Sequence, residues 1–226
     1  MRTHFHAEMD QLVDTLLSMG DGVIDMLDRS VTSLIEQDAA AADAVIRADD
    51  DIDSHYVDVQ NRIVRLMALQ APVASDLRLL SAMLHVNIHL ERMGDYATST
   101  AKMGKLSANF RDEPSLLGQL REMSDIATMV GRRAIESFAQ RDVEGARELP
   151  GLDDGVDQLN IGMFHRLVKL AADDQLLEWA TRMILVARQL ERWSDHAVDI
   201  GEATIFAVTG EMVELSSNTP SEAAAS

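Results

Sequence analysis

The chain has 226 residues, no cysteine, and 20 basic against 38 acidic side chains, for a formal net charge of −18. Disulfides, thiolate metal sites and cysteine nucleophiles are excluded. So anionic a surface repels nucleic-acid phosphates and anionic lipid, which leaves cations and basic protein surfaces as the fitting partners and nucleic acid as an unfitting one. Only 4% of residues are aromatic, while Ala, Leu, Met, Glu and Asp dominate, and that composition predicts an all-α chain. No run approaches the ~18 apolar residues of a spanning helix, and no basic stretch leads into an apolar one at the N-terminus, so a cytoplasmic protein is expected.

Taken in order, the apolar spacing predicts a first helix over 5–37, with Leu12, Leu16, Met19, Val23, Met26 and Leu27 buried. Asp38 is a suitable N-cap for a second helix reaching about Leu69. A Gln70-Ala71-Pro72 turn leads to a third helix over 75–108 carrying Leu77, Leu80, Leu84 and Ile88. Residues 109–114 read as a linker, followed by helices over 115–140, 142–171 and 175–213, with Pro150 expected near a helix start. The tail, placed at 214–226, lacks periodicity from Ser216 onward and is expected to be disordered.

The two halves repeat. Leu-Glu-Arg-x-x-Asp-x-Ala occurs at 90–97 and again at 190–197. An offset of 104 carries Leu12, Leu16 and Met19 onto Leu116, Leu120 and Met123, and Asp38 onto Asp142. After the middle turn the offset falls to 100, because the first copy has four more residues around Pro72. Two tandem three-helix bundles, 1–108 and 115–213, account for this pattern.

Each half also carries two acidic pairs at a four-residue step, which places both carboxylates of a pair on one helical face. They are Asp49 with Asp53 and Glu91 with Asp95, then Asp153 with Asp157 and Glu191 with Asp195. Positions equidistant from a hairpin turn lie level with each other, so each half is expected to bring four carboxylates to one height. The stripe through Leu77, Leu80 and Leu84 runs on to Glu91 and Asp95, which predicts that these acids point inward.

Four convergent carboxylates repel and raise one another's pKa unless cations neutralise them. All-oxygen donors suit magnesium, calcium, manganese and oxidised iron, with zinc added where histidine helps. Ordinary salt bridges to Arg92 and Arg192 are the competing reading. A ferritin-like di-metal bundle needs a Glu-x-x-His element that no glutamate here supplies. A metal-free helical adaptor is the remaining class.

The doubled motif and halves resemble the PhoU family, and the resemblance covers all but the tail. Glu91, Arg92, Asp95 and Ala97, and again Glu191, Arg192, Asp195 and Ala197, match its signature context. That family often carries Asn or Asp four residues after the signature aspartate, which Asp199 keeps and Ser99 does not, so the resemblance adds Asp199 to the metal ligands of the second half and implies fewer or more weakly held ions in the first. Leu-Gln-Ala-Pro-Val-Ala-Ser-Asp-Leu-Arg at 69–78 is similar to its inter-helix turn. The resemblance implies a six-helix, non-enzymatic regulator that binds metal clusters and often forms homodimers. Its implied partners are the ATPase of the phosphate-specific ABC transporter and the phosphate-sensing histidine kinase, both of which it restrains. Membrane association is then peripheral, through those partners.

His85 and His89 lie one turn apart and suit zinc, but their counterparts are Leu185 and Gln189. His196 replaces Tyr96 beside the second signature aspartate. Trp179 and Trp193 are expected to be buried between helices.

Overall fold

The computed structural model describes residues 2–110, 112–170, 173 and 176–215. Its helices are α1 (Arg2–Glu36), α2 (Ala39–Gln70), α3 (Ser75–Ser107), α4 (Pro114–Gln140), α5 (Val143–Leu170) and α6 (Leu177–Thr209). The expected tail from Ser216 and most of the α5–α6 turn lie outside the described residues. No helix among the described residues is long and apolar enough to cross a membrane.

The first turn of each half is built the same way, down to single hydrogen bonds. Gln37 and Arg141 leave their helices in the left-handed region, at φ 54° and 55°. The next amide reaches back to a carbonyl one turn earlier, Asp38 N to Ser33 O and Asp142 N to Ser137 O, each at 2.9 Å. Asp38 then caps α2, its Oδ1 accepting from Ala40 N at 2.9 Å and Ala41 N at 3.0 Å. Asp142 caps α5 by accepting from Gly145 N at 3.0 Å. Asp38→Ala leaves those two amides unpaired and is expected to cost about 1 kcal/mol, read from the urea midpoint.

Pro150 lies inside α5, not near its start. A proline offers no N–H to the carbonyl four residues earlier. That carbonyl, on Ala146, faces Gly201 of α6, where a Cβ would sit 3.3 Å away. The bare Gly201 leaves space for that carbonyl and, closer still, for Leu149 Cδ1.

Within each half the hairpin sets the register. Asn87 Nδ2 donates to the Tyr56 carbonyl at 2.9 Å, and Asp49 Oδ1 would lie 3.1 Å from a Cβ on Gly94. Both pairs are symmetric about the turn at Ala71 and Pro72. The halves then meet through α1 on α4 and α3 on α6. One buried apolar cluster runs through both, from Phe5 to Ala203, and includes Trp179 and Trp193. Across the seam Arg121 pairs with Asp28 and donates to Thr32 Oγ1 at 3.1 Å. Arg182 donates to the Leu106 carbonyl and stacks 4.6 Å from the Phe110 ring. Since residue 106 meets 182 while His89 meets Asp199, α3 and α6 are antiparallel.

The expected α3 stripe requires correction. Leu77 and Ile88 are exposed, and the buried positions are Leu79, Leu80, Met83, Val86, Asn87, Leu90, Met93, Gly94 and Ala97. α3 packs on α1, α2 and α6, so its buried arc is wide and centred on small and flexible side chains. Glu91 and Asp95 therefore lie half-buried along its edge, not at its centre. α2 shows the same displacement: Val45, Ile52, Val59, Ile63 and Leu66 are buried, Asp49 is half-buried and Asp53 exposed.

Candidate metal centres

The burial pattern of 91–100 is repeated residue for residue over 191–200, so the two octets occupy equivalent places. In the second half, carboxylate oxygens of Asp153, Asp157 and Asp195 lie within 4.8 Å of one another. Asp153 is only 3% exposed and accepts a hydrogen bond from the Ser194 hydroxyl. Burial pushes its carboxyl up to about 7, with Asp157 and Asp195 adding to the rise and the Ser194 hydroxyl opposing it. Burial, then Asp195, pushes Glu191 up to about 7. The Glu191 Oε2 atom is buried and accepts no hydrogen bond. Asp195 is raised by burial and, among the nearby acids, most by Asp157.

In the first half, among the described residues, no three of the counterpart acids Asp49, Asp53, Glu91 and Asp95 bring carboxylate oxygens within 4.8 Å of one another. Burial raises Asp49, with Asp53 and Asp95 next, and burial raises Glu91, with Asp95 next. The two faces also differ at one position beside them. Ser194, whose hydroxyl serves Asp153, has Gly94 as its counterpart beside Asp49.

The arginine pairs weighed against metal binding occur in the same places. Arg92 Nη1 lies 3.2 Å from Asp95 and its Nε 3.5 Å from Glu91. Arg192 stands 3.5 Å from Asp195 and 3.9 Å from Glu191, and Arg188 also pairs with Glu191. These guanidinium groups are about half exposed, so each pair contributes about 0–1 kcal/mol. They occupy the solvent rim of each acidic face.

Ser194→Ala removes the donor from a buried carboxyl. Its expected cost is about 1–3 kcal/mol, measured by urea unfolding, with a further rise in the Asp153 pKa seen by carboxyl-carbon NMR.

A different group forms where α3 crosses α6. His89 Nδ1 lies 2.9 Å from His196 Nδ1, and Asp199 Oδ2 lies 3.3 Å from the first and 3.1 Å from the second. The Tyr96 ring stacks on His196 with centroids 5.6 Å apart. Burial, against the pull of Asp199, pushes the His89 imidazole down to about 4, so it is neutral at pH 7. Pairing His89 with His85 by their one-turn spacing misses this group: His85 is exposed. Asp199 thus joins two histidines at the seam while still bordering Asp195, whose carboxyl it helps to raise.

The PhoU domain profile matches residues 16–103 and 120–204. The chain is 29% identical over 216 residues to the phosphate-specific transport system accessory protein PhoU homolog of Clostridium acetobutylicum, covering 95% of this chain and 98% of that one. It is 32% identical over 210 residues to the homolog of Aquifex aeolicus, covering 92% and 94%. The crystal structure of PhoU from Pseudomonas aeruginosa superimposes with a TM-score of 0.87 at 29% identity, over 92% of this chain and 100% of that one. The phosphate transport system regulatory protein PhoU from Streptococcus pneumoniae gives 0.85 at 25% identity, over 93% and 100%. With the domain profile spanning both halves and the six-helix fold shared throughout, this chain belongs to the PhoU domain family.

Proposed function

We propose that this chain is an accessory regulator of phosphate-specific transport, whose acidic faces hold metal and serve as a docking surface. Relatives named as accessory proteins of that transport system support the transport role. Restraint of the transporter ATPase and of the phosphate-sensing kinase, a peripheral cytoplasmic location and a homodimeric state complete the reading. The role is regulatory, not enzymatic.

The observation that carries metal binding is the convergence of Asp153, Asp157 and Asp195 beside Glu191, whose buried Oε2 accepts no hydrogen bond. Asp153, Asp157, Glu191 and Asp195 are the donors of the second site, and Asp49, Asp53, Glu91 and Asp95 those of the first. Carboxylate oxygens fit magnesium, manganese and iron, and zinc less selectively. A bound cation neutralises the mutual repulsion of the acids. It also ties α5 to α6, or α2 to α3, stiffening the surface a partner helix meets. Asp53 is exposed and the other acids, apart from Asp153, are half-buried, so these faces open to solvent, unlike the enclosed core of a ferritin-like bundle.

The arginine pairs favour the metal-free adaptor as a second reading. Elemental analysis of the purified protein separates the two. Glu91, Asp95, Glu191 and Asp195 changed together to Ala are expected to abolish the metal held at the acidic faces and to weaken capture of transporter ATPase and kinase in pull-downs. Full metal retention overturns the site assignment. Recovery of neither partner by the unmodified protein overturns the transport reading.

A further inference from the structure

We infer that His89, His196 and Asp199 form a separate, nitrogen-rich site for a borderline divalent cation of the zinc class, joining the two halves at the α3–α6 seam. Its two imidazoles set it apart in chemistry from the all-oxygen faces, and Asp199 borders Asp195 of the second face.

The first argument is geometric. The three donor atoms form a triangle with sides of 2.9, 3.1 and 3.3 Å. With Zn–N and Zn–O bonds of about 2.0–2.1 Å, one face of a tetrahedral site has edges of about 3.3 Å. Three ligands from two elements thus stand close to a metal's spacing, leaving the fourth position for water or substrate-like oxygen. The second argument is chemical. Each ring nitrogen facing the triangle is either an acceptor or a one-proton donor, and Asp199 Oδ2 is an acceptor. No arrangement of protons on neutral rings satisfies all three sides, whereas a cation engages all three lone pairs together. The side chains are about a fifth exposed for the histidines and 37% for Asp199, so an ion has access without the rings being free to swing. Tyr96 fixes the His196 plane by stacking on it.

The third argument comes from the repeat. The offset of 100 carries His89, His196 and Asp199 onto Gln189, Tyr96 and Ser99. The antiparallel seam therefore has two equivalent places. One holds two imidazoles and a carboxylate; the other holds an amide, a phenol and a hydroxyl. The three positions all depart from their counterparts towards side chains that ligate zinc, although they are separated by up to 110 residues.

The repeat also supplies the test variants, because its other copy shows side chains the fold accepts at these places. His89→Gln and His196→Tyr should fold, as judged by circular dichroism and melting. Zinc titrated into chelator-treated protein by calorimetry, with cobalt as a spectroscopic probe, is compared across wild type, each variant and Asp153→Asn/Asp157→Asn. Loss of an outer-shell partner already costs 10–100-fold in metal affinity, so loss of a direct ligand should cost about 100-fold or more. Expected are the loss of one zinc equivalent and of the cobalt absorption bands in both histidine variants, and the retention of both in Asp153→Asn/Asp157→Asn. Unchanged zinc stoichiometry and affinity in folded His89→Gln overturns the proposal. So does loss of all zinc in Asp153→Asn/Asp157→Asn alone, which places the metal on the acidic face. Failure here leaves the acidic-face assignment standing, since that rests on the four-alanine variant.

Discussion

Trp193→Ala is expected to destabilise the chain by about 3–5 kcal/mol, the range for removing a fully buried large aromatic. Trp193 is completely buried on α6. Its ring lies so close to α4 that a Cβ on Gly131 would be 2.5 Å from Cη2 and 2.9 Å from Cζ3. The indole thus fills the space left by a residue with no side chain. One term opposes the loss: Nε1 is buried without a hydrogen-bond partner, so removing it relieves about 1–3 kcal/mol of unmet desolvation. The balance puts alanine towards the lower end of the range. Trp193→Phe, which deletes the orphan N–H and keeps most of the ring, should cost less than about 1.5 kcal/mol. Urea unfolding followed by circular dichroism checks both values. Equal losses for alanine and phenylalanine would mean that packing against Gly131 contributes nothing.

The second large effect is on pH dependence in chelator-treated protein. Asp153 and Glu191 hold their protons to about pH 7 when folded. In the unfolded chain they release them near ~4. Between those values the unfolded state binds fewer protons, so stability falls as pH rises, is fully present below about 4 and reaches a constant deficit above about 7. Each pKa unit is worth about 1.4 kcal/mol, so Asp153 alone contributes a deficit on the order of 4 kcal/mol. The two acids share Asp157 and Asp195 as neighbours, so their effects are not additive. The expected result is a lower melting temperature at pH 8 than at pH 5, a flatter profile in Asp153→Asn, and recovery at pH 8 when manganese or magnesium replaces the protons. A chelated wild type whose stability rises from pH 5 to 8 would contradict the burial of these carboxyls.

The helices and their repetition are legible in the sequence because their causes are local. Asp38 caps α2 by accepting from the amides two and three residues on, and Asp142 caps α5 at the equivalent place. The register of Asp49 against Gly94 follows from chain length on either side of the Pro72 turn. The doubled Leu-Glu-Arg-x-x-Asp-x-Ala therefore identifies both acidic faces and their partners on the preceding helix. Local pattern fails where several helices compete for one surface. Leu77 and Ile88 read as core yet are exposed, since α3 turns Met83, Val86 and Gly94 towards its three neighbours. Pro150 reads as lying near a helix start yet sits well inside α5, where Gly201 of another helix leaves space beside Leu149 and the Ala146 carbonyl.

The all-helical, twofold-repeated chain and the acidic pairs of each half are written in the sequence, since helical period, capping and hairpin register depend on residues near one another along the chain. Tertiary packing sets how deeply each acidic face is buried, with Ser194 donating to Asp153 at the place that Gly94 occupies beside Asp49. It alone brought His89 to His196 and Asp199. Those contacts span more than a hundred residues, and they arise from the packing of one half against the other, which no periodicity within a single helix encodes.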